Sequence, residues 1–125
     1  MMEKGSQVQY FVELAIFDGK VEAFKKLAQE AINIALAKSK VLGYQFYFNS
    51  DGSKCFLLEQ YPDSEALLPH IASLQSIVQR VLAVSRVTRF EVYGNLNPEA
   101  KSTLADFGAK IFEYWNGFVR QTNRA

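Results

Sequence analysis

From Val8 to Phe17 the side chains sort with the two-residue period of a strand. Val8, Tyr10, Val12, Leu14 and Ile16 fall on one face, and Gln9, Phe11, Glu13, Ala15 and Phe17 on the other. Asp18-Gly19 ends the run. From Lys20 to about Lys40 the period lengthens to that of a helix. Val21, Phe24, Leu27, Ala28, Ala31, Ile34 and Ala35 form its apolar stripe, and Lys25, Lys26, Gln29 and Lys38 its polar one. Gly43 opens a second strand, YQFYFN, which the turn Ser50-Asp51-Gly52-Ser53 joins to a third strand from Cys55 to Tyr61. Pro62-Asp63-Ser64 is a turn and helix start with Asp63 as its cap. The helical pattern continues through Ala66, Leu67, His70, Leu74, Ile77, Val78 and Val81. Pro69 lies beyond the tolerated first turn of that helix, so a kink or break is expected there.

RVTRFEVY, residues 86 to 93, is a fourth strand closed by Gly94. Asn97-Pro98-Glu99 then starts a third helix with a cap, a proline at its first position and an acid in its first turn, and Gly108 stops it. The aromatic-rich tail, AKIFEYWNGFVRQTNRA, fits a final strand or an arm laid over a partner. The order is β-α-β-β-α-β plus a C-terminal helix and tail, the ferredoxin-like split βαβ arrangement of an α+β domain. Its helices cover one sheet face. The other, carrying Phe11, Ala15 and Phe17 from the first strand, stays bare unless a second copy packs sheet against sheet.

Composition narrows the possibilities. A chain of 125 residues suits a single domain, here 1–125, with its core at about 8–95 and the C-terminal helix and tail at 97–125. The aromatic content of 14% is ample for a core and a cavity or subunit interface. A formal net charge of +1, with the arginines spaced at 80, 86, 89, 120 and 124, supplies no field for nucleic acid or an anionic membrane. One cysteine, Cys55, excludes an internal disulfide and a cysteine-based metal site. The N-terminal MMEKGSQ is polar and lacks a signal peptide's apolar core, and AINIALA is far too short to span a bilayer. A cytoplasmic location is the expectation.

EQYPDSEALLPH, residues 59 to 70, holds the only histidine. Strand parity puts Cys55, Leu57, Glu59 and Tyr61 on one face, and helical spacing turns His70 inward with Ala66, Leu67 and Leu74. The turn at Pro62 folds the helix back over the strand, so Glu59, Tyr61 and His70 can share one interior space. A Glu59–His70 hydrogen bond would fix the imidazole tautomer, and Tyr61 would supply a donor. The alternative is a satisfied core histidine with Glu59 as its structural partner.

The run of acid, one residue, aromatic, helix start and a histidine nine residues after the aromatic resembles the antibiotic-biosynthesis-monooxygenase-like family of dimeric α+β barrels. Here it reads Glu59, Gln60, Tyr61, Asp63, Ala66-Leu67, His70. LAIFDGKVEAFKKL and FEVYGNLNPE are similar to that family as well, and the likeness spans about residues 8 to 95. The resemblance implies a homodimer, with a ligand cavity in each subunit between sheet and helices. It also implies, for several members, oxygenation of quinols, anthrones or related polycyclic aromatics without metal or flavin. A haem-degrading branch uses an Asn, a Trp and a His. The histidine is matched by His70, but Tyr61 stands at the tryptophan position and Val12 at the asparagine position, which argues against haem degradation.

The expectation is therefore a cofactor-independent monooxygenase for a small aromatic or quinone-like molecule, with no metal or other cofactor. His70 would be the base or the group stabilising the anion, Glu59 its orienting partner, Tyr61 a donor to a substrate oxygen, and Tyr10, Val12 and Trp115 the walls. A cavity that binds without chemistry is the main alternative. RNA binding is the remote one, suggested by GYQFYF at 43–48 but opposed by its place on the second strand, by Leu42 where a base would stand, and by the near-zero charge.

Overall fold

The structure, a computed structural model, describes residues 7–120. The polar segment 1–6 and the end of the tail, including Arg124, lie outside the described residues. The elements follow in the order β1 (Val8–Ile16), α1 (Val21–Lys38), β2 (Gly43–Phe48), β3 (Lys54–Tyr61), α2 (Leu67–Ser73), α3 (Gln75–Val84), β4 (Ser85–Tyr93), α4 (Pro98–Asp106) and β5 (Lys110–Phe112). The strands form one mixed sheet in the order β2-β3-β1-β4-β5. All neighbours are antiparallel except β4 and β5. The tail thus supplies a final strand of three residues, one of the two fates its composition allowed.

The alternation in β1 and β3 survives as burial. Val8, Val12, Leu14 and Ile16, and Cys55, Leu57, Glu59 and Tyr61, are buried under the helices. Register then aligns side chains across strands. Tyr10 lies opposite Glu59 on one side and Val92 on the other, and Glu59 lies opposite Tyr44 on β2. One transverse row therefore reads Tyr44, Glu59, Tyr10, Val92. A slip of one residue would turn Glu59 out to solvent. In β4 simple alternation fails. The pairing with β1 shifts between Glu13 and Leu14, leaving Thr88 as the extra residue, and its hydroxyl donates to the Glu13 carbonyl at 3.1 Å and to its carboxylate at 2.7 Å. This bulge lets Val87 and Phe90, three residues apart, both reach the cavity side of the sheet.

The second helical segment differs from expectation in where it breaks. A 3₁₀ turn, Ser64–Ala66, comes first, with Asp63 Oδ1 accepting the Ala66 N–H at 3.0 Å. The α-helix begins only at Leu67, so Pro69 falls in its first turn, where a missing N–H breaks no helical bond. The break is at Leu74, where the two halves are bent by 69°. The Ser73 hydroxyl donates to the His70 carbonyl at 2.7 Å, and the Leu74 N–H bonds Ile71 instead. A side-chain donor has taken the carbonyl that would have continued the helix.

The outer sheet face carries Phe11 stacked on Phe56, with ring centroids 6.2 Å apart, together with exposed Leu58, Tyr47 and Phe112. Arg89 lies over the Phe11 ring and makes a bidentate pair with Glu91 at 2.9 and 3.0 Å. Phe17, expected on this face, is exposed just past the end of β1. Gly94 closes β4 at φ +140°, where a Cβ would stand 2.9 Å from the Gln7 carbonyl oxygen. Among the described residues no single helix is long and apolar enough to cross a membrane.

Candidate functional site

Between the inner sheet face and α1–α3 lies a cavity of about 390 Å³, within the range of small-molecule sites. Its walls are aliphatic and aromatic apart from Tyr10, Tyr44, Glu59 and His70. The strand register supplies the first three as neighbours in one row, and α2 lowers His70 onto them. His70 is 2% exposed and Glu59 5%. The imidazole is wedged edge-on between Tyr44, with ring centroids 5.1 Å apart, and Tyr61, at 5.6 Å.

The Tyr61 hydroxyl donates to Glu59 Oε1. His70 Nε2 stands 3.3 Å from the same oxygen, but the N–H is not aligned with it. Among the described residues Nε2 is the one buried side-chain nitrogen or oxygen without a hydrogen bond. The expected Glu59–His70 hydrogen bond is therefore absent, and another residue holds the ring. Ser39, just past the end of α1, places its Oγ 2.9 Å from Nδ1. That oxygen already accepts the Val41 N–H at 3.1 Å, which frees its own proton for Nδ1. A bare Nε2 lone pair would also face a carboxylate oxygen and be repelled. Both observations favour the Nε2–H tautomer. In that form His70 Nε2 is a buried donor beside Glu59, and Glu59 is the group able to accept a proton.

Burial, with Glu59 adding to it, raises the ionisation of Tyr10, Tyr44 and Tyr61 well above that of a free phenol. They stay neutral donors at ordinary pH. Burial also pushes the Cys55 thiol up to about 11, so it is no thiolate nucleophile. Among the described residues no group of three or more His, Cys, Asp or Glu converges to hold a metal.

Glu59, Tyr61 and His70 thus come together, and Tyr10 and Val12 line the cavity. Tyr61 and Trp115 lie off the wall of this cavity. Tyr61 is fully buried behind the wall and its hydroxyl is taken by Glu59, so it positions Glu59 and is not placed to meet a substrate. Trp115 follows β5, is 91% exposed and does not line the cavity. Two residues escaped the sequence reading. Tyr44 shares strand parity with Phe46, and the rule that found Glu59 would have found it. Ser39 lies 31 positions from His70, and no local pattern signals the contact.

Two outcomes are expected. The buried phenols have folded-state pKa values above the unfolded value of about 10. The stability they contribute is intact below that pH and is lost as pH rises above it. In an alkaline titration followed by tyrosinate absorbance, Tyr10, Tyr44 and Tyr61 should ionise in one cooperative step with unfolding. Gradual ionisation in a chain still folded by circular dichroism would contradict their burial. Second, imidazole nitrogen NMR should show Nε2 protonated and Nδ1 bare. Ser39→Ala should loosen that preference and cost about 1 kcal/mol of stability. A proton on Nδ1 in the wild type would refute the assignment.

No family model matches the chain, and no curated protein matches it. Solved structures do. MupZ from Pseudomonas fluorescens superposes with a TM-score of 0.80 at 23% identity, over 96% of this chain and 99% of that one. A candidate antibiotic biosynthesis monooxygenase from Nitrosomonas europaea gives 0.65 at 18% identity, over 78% and 98%. A point mutant of SnoaB, a cofactor-independent oxygenase from Streptomyces nogalater, gives 0.64 at 9% identity, over 74% and 95%. At these identities the likeness is one of architecture. With the split βαβ order, the single covered sheet face and the cavity between sheet and helices, the chain has the antibiotic-biosynthesis-monooxygenase-like fold.

Proposed function

We propose that this chain is a cofactor-independent monooxygenase that takes a small aromatic or quinol-type molecule into its cavity, removes a hydroxyl proton and lets the anion react with dioxygen. One observation carries the reading. His70 and Glu59, whose Nε2 and Oε1 stand 3.3 Å apart without a hydrogen bond, both line an otherwise apolar cavity. A substrate hydroxyl at that point donates to Glu59 and accepts from His70 Nε2–H. Glu59 takes the proton, and the His70 N–H holds the charge left on oxygen, an interaction strengthened where water is excluded. Tyr10 and Tyr44 add neutral phenol groups beside it.

The anion is a far better one-electron donor than the neutral molecule. It reduces dioxygen to superoxide, and the radical pair combines at a ring carbon to give a peroxide. Loss of water leaves a quinone. One oxygen atom stays on the ring, and the other departs with the two hydrogens the substrate gives up. The oxygenase named among the fold's neighbours favours this reaction over other uses of an acid–base pair.

The working form in this proposal is a homodimer in which the outer sheet faces, with Phe11, Phe56 and Leu58, cover one another.

Two measurements test these readings. Purified, metal-stripped protein should consume oxygen with a panel of quinols and anthrones above their autoxidation. Glu59→Gln and His70→Ala should each lower that rate about 100-fold or more, and Tyr61→Phe should lower it less, because it acts through Glu59. Uptake indifferent to Glu59 and His70 would sink the mechanism, and tight binding without uptake would make the chain a binding protein. In sedimentation equilibrium the wild type should weigh twice the 14.2 kDa chain, and Leu58→Asp should weigh one. A wild-type monomer would end the dimer proposal.

A further inference from the structure

The charge of the ligand can be read from the cavity wall. Among the residues that line it there is no lysine or arginine, and its one acid is Glu59. Three of the described cations are engaged away from the cavity, with Arg80 paired to Glu30 at 2.7 Å, Arg89 to Glu91, and Lys25 set over the Phe48 ring. An anionic group brought to the polar end of the cavity would face the Glu59 carboxylate with no lysine or arginine to offset the repulsion and little water to screen it. An ammonium group would find Glu59, but it would also bring donors against the His70 Nε2–H, which makes no hydrogen bond of its own.

The two groups ask for different things from one ligand atom. Glu59 asks for a donor and Nε2–H for an acceptor. A ketone or ether supplies only the second. A hydroxyl oxygen supplies both. The open end of the cavity has a different character. There Val78 and Leu82 of α3, Val87 of β4 and Phe107 after α4 line the space while remaining exposed, so the approach is apolar.

We infer that the cavity selects an uncharged ligand that presents a hydroxyl to Glu59 and His70, with its apolar body extending toward the Val78–Leu82–Val87–Phe107 mouth, and that it rejects carboxylates and phosphates. This rests on the site proposed above but on no step of its chemistry.

The test is equilibrium binding under argon of four matched probes: 2-naphthylmethanol, its methyl ether, 2-naphthoate and 2-naphthylmethylammonium. The alcohol should bind, and each of the other three should bind about tenfold or more weakly. Glu59→Gln, checked for folding by circular dichroism, should narrow the gap between alcohol and carboxylate. Carboxylate binding as tight as the alcohol, tighter binding of the ammonium, four equal affinities, or no binding by any probe would each overturn the inference. None of these probes is a quinol and no oxygen is present. Charge selection without oxygen uptake leaves this inference standing and the oxygenase reading fallen, and uptake with a preference for the carboxylate does the reverse.

Discussion

A carboxylate sits on a central strand of an apolar sheet face, and much of this molecule is arranged around that fact. Glu59 is nearly inaccessible and is flanked across the sheet by Tyr44 and Tyr10. Left without partners, a buried charge of this kind costs on the order of several kcal/mol. Here the Tyr61 hydroxyl, two residues along the same strand, reaches back to it, and His70 approaches from the helix above. Neither contact exhausts the possibilities of the pair. The Nε2–H is held 3.3 Å from the carboxylate without making a hydrogen bond to it. A protein optimised only for stability would complete that hydrogen bond or replace the pair with hydrocarbon.

Holding the imidazole in this position depends on elements remote in sequence. The end of α1 brings Ser39 to His70 Nδ1, and a backbone N–H fixes which way the serine proton points. The 3₁₀ turn before α2 lets Pro69 ride in a first turn, and the Ser73 hydroxyl takes the carbonyl of His70 itself. The break at Leu74 redirects α3, whose Ile77 and Val81 join the cavity wall, with Leu82 at its mouth. The same short stretch of chain thus sets the height of the imidazole and the bend that roofs the cavity.

The two faces of the sheet divide the work physically. The inner face spends its alternation on the cavity. The outer face carries half-buried stacked aromatics beside exposed Leu58 and Tyr47, with a cation held over a ring and a bidentate ion pair among them.

The sequence by itself determined which residues face inward wherever one period held without interruption. Two-residue alternation placed Glu59 and Tyr61 with Cys55 and Leu57, helical spacing turned His70 toward them, and turn chemistry at Asp63 and Asn97 marked helix starts that the structure reproduces. The ferredoxin-like order followed from these local rules. What depended on distance or on an irregularity was left to the tertiary structure. The bulge at Thr88 moves Val87 out of simple alternation, the competition for the His70 carbonyl shifts a helix break by five positions, and Ser39 meets His70 only because α1 and α2 pack side by side. Local periodicity can say that an imidazole, a phenol and a carboxylate share an interior. Only the packed chain decides which of them face a cavity, which face each other and which nitrogen carries the proton, because those are set by ångström-scale distances between segments that no sequence period encodes.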